Sequence, residues 1–264
     1  MTASYTYSRS LDDQSSGTTN SSALPLPPSV KTNYGPSDFQ ATHVFNMGWV
    51  LTLPVLRSGP GALRAIANDW VFSGIFNART GNPINITTTN DYALNAEPNQ
   101  RPPLAPGLTQ YVGLPSNRHR ADKVKEWFNV CSFANGSQYS GVGSAVYAGG
   151  TYKAQPCSAT ADWPILPGYT NGITRNYLYG PAFIESDLSL RRNISIPFHD
   201  MHLQFRADGI NAFNTPNLAN PVSSITASES SFNSDHGQIL STVGKNGGVG
   251  TNGRRIQLAV ILTY

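Results

Sequence analysis

Two histidines and an aspartate stand close together at His199, Asp200 and His202, a set of side chains that could bind a divalent metal. On extended backbone successive side chains alternate faces, so His199 and His202 point to opposite sides. The trio reads as a wet polar turn, and His43, His119 and His236 are scattered elsewhere. There is no Gly-x-Ser-x-Gly elbow to hold up a nucleophilic serine. Gly141-Val142-Gly143 has no helix after it to cradle a phosphate, and the Asn135-Gly136-Ser137 sequon is a triplet common by chance. The expectation is a protein with no catalytic residues, no metal and no cofactor.

A second group of polar residues carries more information. Glu185, Asp187, Arg191, Arg206 and Asp208, with Gln204, fall at alternate positions in two stretches whose intervening residues are mostly apolar. Ile184, Leu188, Leu190, Ile194 and Ile196 alternate with the first set, and Met201, Leu203, Phe205 and Ala207 with the second. Such spacing puts these side chains on one face of paired strands. Opposite charges across that pair would contribute ~0.2–1 kcal/mol each.

The elements that must position these residues are β-strands. Charged residues make up 12% of the 264, about half the ~25% of soluble domains. Apolar residues stop at 39%, and the weight lies in Gly (24), Pro (19), Tyr (12) and Phe (11). Turn formers with aromatics favour strands and long loops. A net charge of +3, with no basic cluster, argues against a nucleic-acid partner. No apolar run nears the ~20 residues of a membrane helix.

Six segments have period-two patterning: 2–11, 39–53, 70–88, 183–196, 200–213 and 254–264. The second runs Phe39, Ala41, His43, Phe45, Met47, Trp49, Leu51, Leu53 on one side, long enough to cross a bilayer, which takes ~9–11 tilted residues. Connections alternate between long and shorter, with 89–181 the longest. If the chain ends in the periplasm, every long loop lies outside, as in outer-membrane barrels. Trp49, Trp70 and Tyr264 near strand ends suit interfacial girdles. The opening residues, Met1-Thr2-Ala3-Ser4-Tyr5, lack the basic and apolar regions of a leader, so the chain is expected to be the tail of a longer polypeptide. A soluble β-sandwich also alternates, but its solvent face would have little use for so much charge.

Several stretches resemble the C-terminal barrel of TonB-dependent outer-membrane transporters, of the Oar-like type with a carboxypeptidase-regulatory-like domain. They run from Ala3 to Asp13, Trp70 to Phe76 and Arg79 to Pro83, with Asn99-Gln100-Arg101-Pro102 and Trp127-Phe128-Asn129 in the long loop. Tyr179-Gly180-Pro181, Asp187 to Leu190, Leu203 to Asp208, Asn211 to Asn217 and Arg255 to Leu258 follow. The resemblance implies an all-β, antiparallel transmembrane barrel segment: about six strands of a larger, 22-stranded plugged barrel with long extracellular loops. It also implies outer-membrane location, lipid contact, uptake of a large solute, and coupling to the TonB complex through a missing N-terminal part. Ile256, Leu258, Val260, Leu262 and Tyr264 resemble the terminal signal read by the barrel-assembly machinery.

Cys131 and Cys157 both fall in the long loop, and in the oxidising compartment so implied a disulfide between them would contribute ~3 kcal/mol; two free thiols are the alternative. The lumen-facing set is Glu185, Asp187, Arg191, Gln204, Arg206 and Asp208. Two other readings remain: a surface adhesin or binding module working through 89–181, and a soluble secreted β-sandwich.

Overall fold

In a computed structural model of the chain the described residues are 1–13, 15, 33–88, 101–102, 117–133, 143–148, 151–156, 173–196, 201–225, 227–228, 231–232, 235–244 and 253–264. Six strands form the main sheet: β1 (Thr2–Tyr7), β2 (His43–Thr52), β3 (Trp70–Arg79), β4 (Phe183–Ile196), β5 (Met201–Ile210) and β6 (Arg255–Thr263). Each pairs antiparallel with the next in the chain, giving an up-and-down order from β1 to β6. The two outer strands do not meet, so the sheet is open.

Residues directly opposite across a ladder share a face, and the register gives the sheet one apolar face and one that holds nearly all its charge. The first carries Tyr5, Phe45, Phe76, Leu188, Leu190, Phe205, Leu258 and Val260; the second carries Ser4, Asn46, Asn77, Ser189, Arg191, Arg206 and Gln257, with Val50, Val71, Ile75 and Ile261 among them. Trp49 stands opposite Gly74 on the apolar face, its indole lying where a Gly74 Cβ would be. Glycine there admits the ring, which in turn shields bare backbone, a known remedy for glycine in strands. Trp49 also packs at 6.4 Å from Phe72.

The strands stop earlier than the 2–11 and 70–88 patterning implies. β1 ends at Tyr7, and Leu11–Asp12 pairs instead with Gly35–Pro36. Beyond Arg79 the chain meets Gly81, whose backbone touches Gly180 too closely for any side chain, and then Pro83, which has no N–H for a ladder. It continues as Pro83–Ile84 against Leu178–Tyr179 and as Thr87–Thr88 parallel to Ser224–Ile225. β2 begins at His43 because a turn, Gln40 N–H to Ser37 O at 3.0 Å, precedes it. β5 ends at Ile210 because Asn211 takes a left-handed φ of 49°. Within 89–181 the described residues include a helix, Arg120–Lys125, a 3-10 turn, Val130–Phe133, and a hairpin, Gly143–Ala148 with Thr151–Pro156.

The connections after β1, β3 and β5 all leave one end of the sheet, and there their described residues include a packed cap. Phe128, Phe133, Ile84, Ile86, Ile173, Leu178 and Ile239 are buried in it, together with Phe183 at the head of β4. Among the described residues the opposite end carries the shorter connection 53–69, which contains helix α1 (Gly61–Ala67).

Candidate functional site

The polar face curls around a recess of about 730 Å³ that touches both outer strands, through Thr2 on β1 and Gln257 on β6. Its wall includes Asp187, Ser189, Arg191, Arg206 and Asp208. Alternation in β4 and β5, paired in the register Leu188↔Gly209 to Ile196↔Met201, places these charges.

The charges do not pair as an opposite-sign ladder. Arg191 lies directly opposite Arg206, and Asp208 opposite Ser189. Arg206 turns along its own strand to Asp208, with Nε 2.8 and 2.9 Å from the two carboxylate oxygens. A register that sets arginine against arginine leaves the i, i+2 carboxylate as the nearest counter-charge on that face. Gln204 Nε2 donates to Asn193 Oδ1 across the ladder at 2.7 Å. Asp187 accepts the Asn211 N–H at 2.9 Å, tying β4 to the turn after β5. Glu185 is buried where the polar face runs under the cap. The six polar residues read from the sequence therefore share one face, with Glu185 at its capped end.

On the apolar face Arg192 is the one formal charge among the described strand residues. It lies opposite Trp70 at the short-connection end, with its guanidinium 5.6 Å from that ring and Nε donating to Asn68 O at 3.2 Å. Sequence patterning passed over it because it stands at an apolar position of β4, and its partner Trp70 lies too far along the chain to signal it. At the capped end Tyr5, Tyr7 and His43 cluster, the Tyr5 hydroxyl 2.8 Å from His43 Nδ1. Aromatics thus mark both ends of the apolar band.

Ile256, Leu258, Val260 and Leu262 stand on the apolar face opposite Gly209, Ala207, Phe205 and Leu203. Tyr264 follows β6 and is almost fully exposed. β6 has one partner strand and β1 likewise, so each presents a row of backbone groups to any further strand. His202 lies on the polar face beside Ser195, Oγ to Nδ1 3.4 Å, while His199 and Asp200 fall outside the described residues. So does Cys157, and with it the proposed disulfide to Cys131, whose backbone lies in the 3-10 turn.

The cap holds polar residues that no periodicity could flag. Arg175, 3% exposed, donates to Asn33 O, Asp12 O and Ser15 Oγ, and forms ion pairs with Asp12 and with Asp38, the latter at 3.1 Å. Asn176, at a left-handed φ of 55°, donates to Pro36 O and Asp38 Oδ1. Arg101 donates to Ile173 O at 3.0 Å and to Asn33 Oδ1. Burial lowers both guanidinium pKa values. His236 packs edge-on against Phe128 at 5.1 Å, and burial drives its pKa from 6.5 to about 3, against a smaller opposing contribution from the Val222 backbone. It is neutral in the folded cap. Among the described residues no cluster of His, Cys, Asp and Glu could hold a metal ion.

A family model described as an outer membrane beta barrel domain matches residues 1–257. No curated protein and no solved structure matches the chain.

Proposed function

Because the chain belongs to the outer membrane beta barrel domain family, and so resides in the outer membrane with its strands across the bilayer, we propose that it forms part of the wall of an energy-coupled transporter for a large solute. The finer reading is the TonB-dependent, Oar-like type. What supports it is the recess: its wall carries both signs of charge, Asp187 and Asp208 with Arg191 and Arg206, among apolar residues such as Val50, Ile75 and Ile210, and the opposite face of the sheet is apolar. A wet interior of this kind can contact a plug domain or pass a solute. An apolar-facing arginine at the bilayer midplane would instead cost ~2–4 kcal/mol.

The described sheet has six strands, fewer than the eight of the smallest single-chain bacterial barrels, and in this reading the edges of β1 and β6 pair with further strands. Plug and TonB-binding segment would come from the same larger assembly, the barrel-assembly machinery being the partner during insertion. The chain itself performs no chemical step and needs no cofactor in this reading.

The test is Arg191→Ala with Arg206→Ala in the intact transporter. Normal heat-modifiable insertion with lost solute uptake supports a transport wall. Failure to insert reduces the charges to a structural role, and normal uptake overturns the proposal.

A further inference from the structure

Residues 53–69, joining β2 to β3 at the short-connection end, are tied to the end of the sheet by hydrogen bonds at Leu53, Ile66 and Asn68. Leu53 N–H donates to Trp70 O at 3.0 Å. The Asn68 side chain clamps Leu56, accepting its N–H at 2.7 Å and donating to its carbonyl at 3.3 Å. Trp70 Nε1 donates to Ile66 O at 2.8 Å, and Arg192 reaches Asn68 O. Trp70 and Arg192 belong to the apolar face, so α1 is held on that side of the sheet.

What α1 and its approach show to the surroundings is greasy. Val55, Leu56, Leu63 and Ile66 are 58, 40, 52 and 65% exposed, and Leu63 and Ile66, three residues apart, share one side of the helix. They continue the apolar band at Leu51, itself 52% exposed. Two exposed arginines, Arg57 and Arg64, accompany them, against a single acid, Asp69, in the same segment. Nothing in a packed fold explains a clamped loop that turns four large apolar side chains outward. An in-plane amphipathic anchor does, since such a segment sinks its apolar side ~5–10 Å into the headgroup boundary while basic residues meet anionic lipid.

We infer that residues 54–69 lie in the periplasmic leaflet as a membrane-plane anchor, with Leu56, Leu63 and Ile66 among the acyl chains and Arg57 and Arg64 on anionic phospholipid headgroups. The inference rests on the family's lipid-facing strands and on short connections being periplasmic.

Nitroxide labels at Leu51, Leu63 and Ile66, one at a time, in the full chain with Cys131 and Cys157 replaced by Ser, test it. The protein is placed in vesicles of phosphatidylcholine with equal phosphatidylglycerol. Contact with oxygen over an aqueous nickel chelate at all three positions is the expected result. Lipid at Leu51 but water at Leu63 and Ile66 overturns the anchor and leaves the barrel reading intact. Water at all three overturns the lipid-facing sheet as well. With spin-labelled lipids the unaltered chain is expected to prefer phosphatidylglycerol by roughly fivefold per arginine. Arg57→Gln with Arg64→Gln should bring that preference close to parity; an unchanged preference overturns the headgroup contact.

Discussion

The sheet and the cap are built on opposite plans. In the six strands only Gly74 and three residues at the head of β4 (Phe183, Glu185 and Ser186) are buried. Large apolar side chains such as Phe205 and Leu258 stand exposed. The cap encloses Phe128, Phe133 and Ile86 almost completely, and beside them ionised and amide side chains. A sheet of this kind gains little from burial against itself and needs hydrocarbon around it. The cap carries its own core and suits water. One chain therefore meets two solvents, and the boundary falls where Phe183 and Glu185 pass beneath the loops.

That contrast can be broken from the cap side first. Arg175→Ala leaves Asp12 and Asp38 without their cation, and loss of one partner of a buried ion pair costs ~3–5 kcal/mol. The expected outcome is rapid proteolysis at residues 8–13, 33–42 and 173–182 with the six strands still protected in lipid. If the strands are lost together with the cap, the two regions are one cooperative unit. Next in size, Leu190→Arg on the apolar face should destabilise insertion by ~2–4 kcal/mol, whereas Ser189→Arg one residue away should be almost neutral. Equal effects, measured by urea titration of folding into vesicles, would abolish the two-faced sheet.

Acid should loosen the cap selectively. The folded His236 pKa of about 3 lies below its ordinary 6.5, so the unfolded cap binds more protons between those values. Stability is full above pH 6.5 and falls as pH drops, by about 2 kcal/mol at pH 5. His236→Phe should flatten that slope as seen by hydrogen exchange in the cap, while exchange in β4 and β5 stays unchanged. The smallest effect is expected from Gly74→Ala, at least about 1 kcal/mol from crowding the Trp49 ring, detectable as a shift in Trp fluorescence on unfolding.

The sheet is far more legible in the amino-acid sequence than the cap. Period-two patterning is a local property, so Phe45 and Met47, or Leu203 and Phe205, declare their strand and their face from neighbours alone. Strand ends were less legible: Gly81 stops β3 because Gly180, far along the chain, leaves no space there. The cap was illegible as packing. Arg175, Asn33 and Asp38 come from remote segments with no common period, and a buried arginine looks in sequence like an exposed one. Several short motifs tied to the family resemblance now have physical roles. Asn211 closes the turn after β5 by bonding both amide atoms to Thr215, and Asn217 accepts the Ile184 N–H at the head of β4. Arg101 spans Asn33 and Ile173.

The strictly neighbour-to-neighbour strand order has a consequence for how the molecule assembles. β4 and β5 are joined by residues 197–200, whereas β3 and β4 are separated by residues 80–182. Closing the longer connection costs about 3 kcal/mol more in chain entropy. The β4–β5 hairpin is thus the expected nucleus, growing outward to β6 before β3 docks from the other side. Pulsed deuterium labelling during refolding should find Leu190 and Phe205 protected earlier than Phe76; the reverse sequence would show that the cap, forming first, delivers β3 and β4 together.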